Sequence, residues 1–228
     1  MKTTRILATA AAVVGLAAAS SANAAFVLVD SQSPYASPAT PISSLNDFRT
    51  QLASEGVTSM YLGRRLGVTS PFNGSYVIDV DFFAAEAAYR NQFILGSTTV
   101  IDNQGNRSWS ERDMGSFALT SGLTTGGGTT RTLNFRFCAV TIGSCLTNAQ
   151  NDTTRLGSLQ SIGMWLSSDR NTAWLLWDDS GADSDDNHDD LIVRLTYRSV
   201  PEPGTLALLG LGLVGAAMVR RRKVSTQA

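Results

Sequence analysis

Short segments with alternating or β-rich sequence recur along residues 25–199. Residues 132–137 alternate polar and apolar positions, and residues 76–82 are rich in β-branched and aromatic side chains. A two-residue period is typical of a strand with one buried and one solvated face. Each segment therefore predicts a strand, and further candidates are residues 92–95, 116–120, 161–166, 172–177 and 190–197.

The segments between these strands are rich in glycine, asparagine, serine and threonine, which favour turns. Three consecutive glycines at residues 126–128 predict the flexible loop of a hairpin. That hairpin would pair residues 116–120 with residues 132–137.

A helical period marks one short helix, over residues 45–54. Leu45, Phe48 and Leu52 share its apolar face, and Ser44 precedes it as a candidate cap. Many short strands with one helix predict an all-β fold, a β-sandwich of jelly-roll type with one short helix. Residues 25–199 are long enough to bury one core as a single domain.

The first 24 residues have the organisation of a secretory signal peptide. A basic start with Lys2 and Arg5 precedes an apolar stretch at residues 6–19. Residues 22–24, Ala-Asn-Ala, supply the small side chains that signal peptidase requires, which places cleavage before Ala25. The sequence therefore predicts export of the domain, with signal peptidase as a processing partner.

A second apolar run lies near the other end of the chain. Residues 204–219 carry no charge and are followed by a basic tail at residues 220–223. A helix over this run spans roughly 24 Å at about 1.5 Å per residue. The hydrocarbon core is roughly 30 Å thick, and snorkelling arginines and a locally thinner bilayer accommodate the difference. We predict a transmembrane helix that holds the domain outside the inner membrane, with the basic tail in the cytoplasm.

Residues 200–228 as a whole resemble a PEP-CTERM sorting signal. Pro201, Glu202 and Pro203 match its motif, and the apolar run and basic tail match its remaining parts. The resemblance implies recognition by an exosortase, processing near the motif, and delivery to the cell surface or to an exopolysaccharide matrix. Such tails are also labelled an ice-binding protein C-terminal domain, but the domain itself has no regular T-x-T array for an ice-binding face.

Two internal segments are similar to segments of a class of PEP-CTERM surface proteins that has no established activity. The matching residues are Glu86, Ala87, Tyr89, Asn91 and Phe93, followed by Asp185, Asp186, His188, Asp189 and Asp190. Glu86 either caps a turn or pairs with an arginine, which we favour, or joins the second segment as a cation ligand.

The exported domain is acidic. Residues 25–199 contain twelve arginines, no lysine and eighteen acidic residues, so the domain is about six charges negative. This charge is opposite in sign to that of a nucleic-acid binder, and we expect no nucleic-acid partner. The domain also holds both cysteines of the chain, Cys138 and Cys145, and a close pair in an exported domain predicts a local disulfide.

Seven of the acidic residues are aspartates at positions 178–190. Carboxylates this dense repel one another, and Ca²⁺, which takes about six to eight oxygen ligands, relieves the repulsion. We expect Asp183, Asp185, Asp189 and Asp190 as the ligands. An EF-hand is excluded, because a histidine stands at the position of the turn glycine and an arginine at that of the bidentate glutamate. The alternative is a solvated acidic loop that keeps two apolar strands soluble.

Residues suited to catalysis are scarce. His188 is the single histidine, and no G-x-S-x-G motif accompanies it, which argues against a serine triad. Zinc chemistry lacks ligands. Glycoside hydrolysis needs two facing carboxylates, for which Glu86 and Glu111 are the plausible pair. We therefore expect a protein that is not an enzyme.

The main prediction is a non-catalytic cell-surface or extracellular-matrix protein, sorted by an exosortase and stabilised by calcium. One alternative is a carbohydrate-binding module for exopolysaccharide, in which tryptophans stack on sugars. At least one of Trp174 and Trp177 is expected to face the core instead. A second alternative is a hydrolase of the matrix polysaccharide. The tryptophans are Trp109, Trp165, Trp174 and Trp177.

Overall fold

A computed structural model describes residues 25–30, 39–70, 75–86, 89–104, 108–120, 129–151, 160–179 and 187–199, together with 210, 212 and 213. The predicted signal peptide, residues 1–24, lies outside the described residues, as does nearly all of the predicted tail, residues 200–228. Among the residues that are described, no helix is both long enough and apolar enough to cross a bilayer.

The described chain is built mainly from antiparallel strands, with one short helix, α1 (Arg49–Ser54). Short 3₁₀ turns lie at Val140–Ile142 and Asn148–Gln150. The strands in chain order are β1 (Ala25–Asp30), β2 (Thr40–Pro41), β3 (Ser59–Met60), β4 (Arg64–Ser70), β5 (Ser75–Ala85), β6 (Asn91–Leu95), β7 (Thr98–Asp102), β8 (Ser108–Thr120), β9 (Thr129–Thr132), β10 (Phe135–Ala139), β11 (Ser144–Thr147), β12 (Ser161–Leu166), β13 (Thr172–Asp178) and β14 (Leu191–Ser199).

The strands form one large sheet that packs against two smaller ones. The large sheet has the order β12-β13-β14-β5-β8, and the others have the orders β11-β10-β6-β7 and β1-β4-β9. Their inner faces share one hydrophobic cluster, in which the rings of Phe137 and Trp177 stack with centroids 5.2 Å apart. Phe26 meets Tyr197 edge to face across the same interior. The prediction of an all-β sandwich is confirmed.

The outer face of the large sheet is partly covered by residues 39–63, which contain α1 and the small β2-β3 pair. Phe48, Leu52 and Val57 from this segment are buried against the sheet residues Trp174 and Ile192. The sheet therefore has apolar contacts on both faces, which explains the nearly continuous apolar sequence of β13 and of the first part of β14. We refer to residues 39–63 as the cover segment.

The helix begins at Arg49, so the predicted start at residue 45 is wrong. The side-chain oxygen of Asn46 accepts the N–H of Phe48, which fixes a turn in place of the first helical residues. Leu45 is 58 % exposed and does not join the apolar face, whereas Phe48 and Leu52 are buried.

The predicted pairing of residues 116–120 with 132–137 is also wrong. β8 pairs with β5, whereas residues 132–137 contain the end of β9 and the beginning of β10, which belong to different sheets. Leu133 lies at the crossover, where its N–H donates to the carbonyl of Leu66 and its carbonyl accepts from Asn148. The loop at residues 121–128 lies outside the described part of the chain.

The predicted disulfide is present. Cys138 and Cys145 lie directly opposite each other in the β10-β11 ladder, and their sulfurs are bonded. The bridge links two neighbouring strands at the end of the four-stranded sheet, where the chain reverses through the first 3₁₀ turn. Both cysteines of the sequence are therefore paired in this bridge.

Candidate functional site

Four aspartates of the acidic segment come together where β13 ends and β14 begins. β13 and β14 are antiparallel neighbours, so Asp178 and Asp179 lie beside Asp189 and Asp190. The N–H of Asp179 donates to the Asp190 carboxylate at 2.8 Å. All four residues are buried. The alternative of a solvated acidic loop therefore fails for these four, while the predicted ligands Asp183 and Asp185 lie outside the described residues.

Burial of these carboxylates has an electrostatic cost. Loss of solvation, followed by the negative charge of Asp179, raises the pKa of the Asp190 carboxyl to about 8. Asp178 and Asp189 raise this pKa further, while the N–H of Asp179 opposes the rise. A carboxyl with this pKa binds a proton at neutral pH, unless a nearby cation stabilises its ionised form.

Asp189 brings three segments of the chain together. Its carboxylate accepts the backbone N–H of Asp47 at 2.7 Å, and its carbonyl accepts the backbone N–H of Glu86 at 2.9 Å. One carboxylate oxygen from each of Asp47, Glu86 and Asp189 lies within 4.8 Å of the other two. Asp47 lies two residues before α1, Glu86 follows β5, and Asp189 lies two residues before β14, so the cluster joins the cover segment to two strands of the large sheet.

The turn that presents Asp189 is fixed by its neighbours. The side-chain amide of Asn46 donates to the carbonyls of Asn187 at 2.9 Å and of His188 at 3.3 Å. The Asn187 side chain accepts the N–H of Asp189. His188 adopts a left-handed backbone conformation with φ of 57°, which an L-residue rarely adopts without support from its surroundings. The position of the Asp189 carboxylate is therefore set by the fold.

A group of buried polar side chains adjoins the same aspartates on the side of β6. The side-chain N–H of Asn91 donates to the Asp179 carboxylate, and the backbone N–H of Asn91 donates to the side-chain oxygen of Asn103. The carbonyl oxygen of the Asn91 side chain is buried and accepts no hydrogen bond from the described residues. Gln160 also donates to the carbonyl of Asp179. Asn91 thus ties the start of β6 to the Asp179 carboxylate, directly after β13.

Ser161, His188 and Asp178 have the residue types of a hydrolase triad. The hydroxyl of Ser161 lies 2.7 Å from Nε2 of His188. Nδ1 of His188 lies 4.0 Å from the nearer oxygen of Asp178, which is longer than a hydrogen bond. Ser161 is 9 % exposed, and the other two are at most 1 % exposed. A nucleophile must reach its substrate, so burial of the set favours a structural role, in which His188 ties its turn to β12.

The tryptophans differ in their surroundings. Trp174 and Trp177 are buried, as was expected for at least one of them, and Trp165 is half-buried. The side chain of Trp109 lies outside the described residues, as does that of Glu111. A platform of several exposed tryptophans is therefore not available from β12 and β13.

Residues 199–223 match a family model described as the PEP-CTERM protein-sorting motif. The chain carries a PEP-CTERM sorting motif. The match includes the predicted Pro201, Glu202 and Pro203 and the basic residues 220–223, so the predicted resemblance of the tail is confirmed. No curated protein and no solved structure matched the chain. The ice-binding label and the similarity of the internal segments to a class of surface proteins stay predictions.

The PEP-CTERM motif indicates an exported protein that an exosortase processes at the membrane and that then reaches the surface. The match begins at Ser199, the last residue of β14. β14 in turn begins directly after Asp190. One strand therefore connects the buried aspartates to the PEP-CTERM motif.

Sequence reasoning identified part of this site. The dense aspartates indicated Asp189 and Asp190, and the similarity of the internal segments indicated Glu86. However, Asp189 and Asp190 accept hydrogen bonds from different segments. The Asp189 carboxylate accepts the N–H of Asp47, and the Asp190 carboxylate accepts the N–H of Asp179. Asp47 was missed, because it lies 142 residues before Asp189 in the chain and no local motif marks it.

Proposed function

We propose that the protein is a non-catalytic component of the cell surface or of the extracellular matrix, delivered by the exosortase pathway and stabilised by one calcium ion. The observation that carries the calcium proposal is the convergence of the Asp47, Glu86 and Asp189 carboxylates from three separate segments. The observation that supports delivery is the PEP-CTERM motif at residues 199–223.

The spacing of the three carboxylates suits a calcium ion. Ligand oxygens lie about 2.4 Å from Ca²⁺, so two oxygens on one ion are at most about 4.8 Å apart. The oxygens of Asp47, Glu86 and Asp189 lie within this limit. Calcium takes about six to eight oxygens, and water completes such sites where one side is open, as at the exposed Asp47. Asp183 and Asp185 stay candidates for further ligands.

A cation at this position would have two effects. It would compensate the charge of the buried aspartates, whose mutual repulsion opposes folding. It would also link the cover segment to β5 and β14, and β14 leads directly into the sorting motif. The proposed ion therefore holds the start of β14, the strand whose other end, Ser199, leads into the sorting motif.

The matrix hydrolase is the less favoured alternative. A retaining glycosidase places two carboxyl groups about 5–5.5 Å apart on opposite sides of a sugar ring. Asp189 is fully buried, and its carboxylate already accepts the N–H of Asp47, so it does not face a groove that a sugar ring can enter. A cation is a better occupant for the cluster than a glycosidic bond.

Intact cells provide the test of this function. Antibody labelling of the intact cells should detect the protein, and a strain without the exosortase should lose the signal. Trypsin should digest the displayed protein quickly in EGTA and slowly in millimolar calcium, because a cation that binds the folded state lowers the population that is cleaved. Labelling that needs permeabilised cells would contradict the surface assignment, and equal digestion rates would contradict the calcium proposal.

A further inference from the structure

A groove lies on the outer face of the large sheet, beside the edge of the cover segment. Its volume is about 310 Å³, and its lining includes Glu55 at the end of α1. Trp165, Trp174 and Arg194 line it too, and they lie directly opposite one another on β12, β13 and β14, so their side chains share one face of the sheet. Thr172 and Thr196 form the next cross-strand pair along the groove.

The charged residues of the groove are held in place. Nε of Arg194 donates to Asp81 at 3.0 Å, and Nη1 lies 3.7 Å from the Glu55 carboxylate. The guanidinium carbon lies 5.5 Å from the centre of the Trp174 ring, so it covers that indole. One arginine between two carboxylates leaves no net positive charge to attract an anion.

The half-buried indole of Trp165 supplies the apolar part of the lining. The threonine hydroxyls both donate and accept hydrogen bonds, Arg194 donates, and Glu55 accepts. An indole surface beside fixed donors and acceptors matches a pyranose ring, which has an apolar C–H face and a rim of hydroxyls. The volume is near the lower end of the roughly 300–1,000 Å³ typical of ligand sites, which suits one or two sugar units.

We propose that this groove binds a neutral pyranose unit of a polysaccharide. The ligand stacks on Trp165 and exchanges hydrogen bonds with Thr172, Thr196, Glu55 and Arg194. The residues that line the groove differ from the carboxylate cluster of Asp47, Glu86 and Asp189. Glycan binding and calcium binding can therefore be tested independently. The sorted protein would thereby attach to a neutral glycan once it has left the membrane.

Affinity electrophoresis of the purified protein tests the proposal. Native gels would contain dextran, galactan or mannan as neutral polysaccharides, or alginate as an anionic one. We expect retardation by at least one neutral polysaccharide and none by alginate. Trp165→Ala should weaken the retardation about tenfold, equivalent to about 1.4 kcal/mol. Arg136→Ala, an exposed position on β10 in the four-stranded sheet, should leave it unchanged.

A second variant distinguishes loss of binding from loss of folding. Thr196→Val keeps the shape of the side chain but removes its hydroxyl, and it should also weaken binding while the circular dichroism spectrum stays that of the wild type. Folded wild-type protein that migrates freely in all three neutral gels would overturn the proposal. Retardation by alginate alone, or full retardation of folded Trp165→Ala and Thr196→Val, would overturn it as well.

Discussion

The carboxylate of Asp189 accepts a hydrogen bond from the backbone N–H of Asp47 at 2.7 Å, although 142 residues separate the two in the chain. The adjacent carbonyl of Asp189 accepts the N–H of Glu86. A single buried residue thus fixes the start of α1 and the end of β5 relative to β14. This is the position at which we propose a calcium ion.

Asp189→Asn removes the charge of this residue but keeps its hydrogen bond. Asparagine retains an oxygen that accepts the N–H of Asp47, but it removes one negative charge from the cluster. In EGTA the variant should match or exceed the wild type in its free energy of unfolding, because repulsion between carboxylates is reduced. In millimolar calcium it should be less stable than the wild type by about 2 kcal/mol or more, because the ion is lost. Urea unfolding under both conditions measures the difference.

Asp113→Asn is the matched control, since Asp113 is exposed on β8. It should respond to calcium as the wild type does. A calcium response of Asp189→Asn equal to that of the control would mean that the ion binds elsewhere or does not bind.

Asn46→Ala should destabilise the domain by about 2–3 kcal/mol. The Asn46 side chain accepts the N–H of Phe48 and donates to the carbonyls of Asn187 and His188, so its removal leaves buried backbone groups without those partners. Chemical denaturation measures the loss, and Asn134→Ala, at an exposed position, serves as the control. A loss below about 0.5 kcal/mol, the size typical of surface substitutions, would show that this turn does not depend on Asn46.

Ser161→Ala tests whether the Ser161–His188 pair is structural. We expect a loss of about 1 kcal/mol in stability, because a buried hydrogen bond to His188 is removed. A fluorophosphonate probe, which reacts with activated serines, should leave the wild-type protein unlabelled. Labelling that disappears in Ser161→Ala would instead identify Ser161 as a nucleophile and contradict the non-catalytic proposal.

Acid stability should depend in part on Asp102. The Arg90 guanidinium, through its hydrogen bonds, lowers the pKa of the Asp102 carboxyl to about 2 in the folded protein. The unfolded value is about 4, so this contribution is fully present above pH 4 and is lost as the pH falls from about 4 towards 2. The pair is partly exposed, so solvent screening keeps the effect small.

Asp102→Asn isolates this contribution from that of the other carboxylates. The difference in urea midpoint between the wild type and the variant should shrink as the pH is lowered from 5 to 2. A difference that stays constant over this range would show that the ion pair does not stabilise the folded state.

The sequence predicts the strands of this fold better than it predicts their partners. Residues 161–166 are recovered as β12 without a shift, because composition and flanking turns mark a strand locally. The partner of β8 is β5, however, and β9 and β10 enter different sheets, which depends on how the whole core packs. Long-range pairing is not encoded in any one segment.

In the candidate site, too, some residues are marked by the local sequence and others are brought in only by the fold. The density of aspartates marks residues 178–190 locally, and a close pair of cysteines predicts the disulfide. Asp47 carries no such signal, since it is one exposed carboxylate before a short helix. Its role follows only from the turn that Asn46 fixes against Asn187 and His188. Burial of the acidic segment was likewise not predicted, because dense charge is usually solvated.

Thermal unfolding of the purified wild-type protein in calcium and in EGTA tests the central claim most directly. A ligand at 100 times its dissociation constant stabilises the folded state by about 2.7 kcal/mol. We therefore predict a clear rise in Tm in millimolar calcium relative to EGTA, and a smaller rise in magnesium, which tolerates fewer protein ligands. Equal Tm values in calcium and in EGTA would contradict the proposal that a calcium ion stabilises the cluster of Asp47, Glu86 and Asp189.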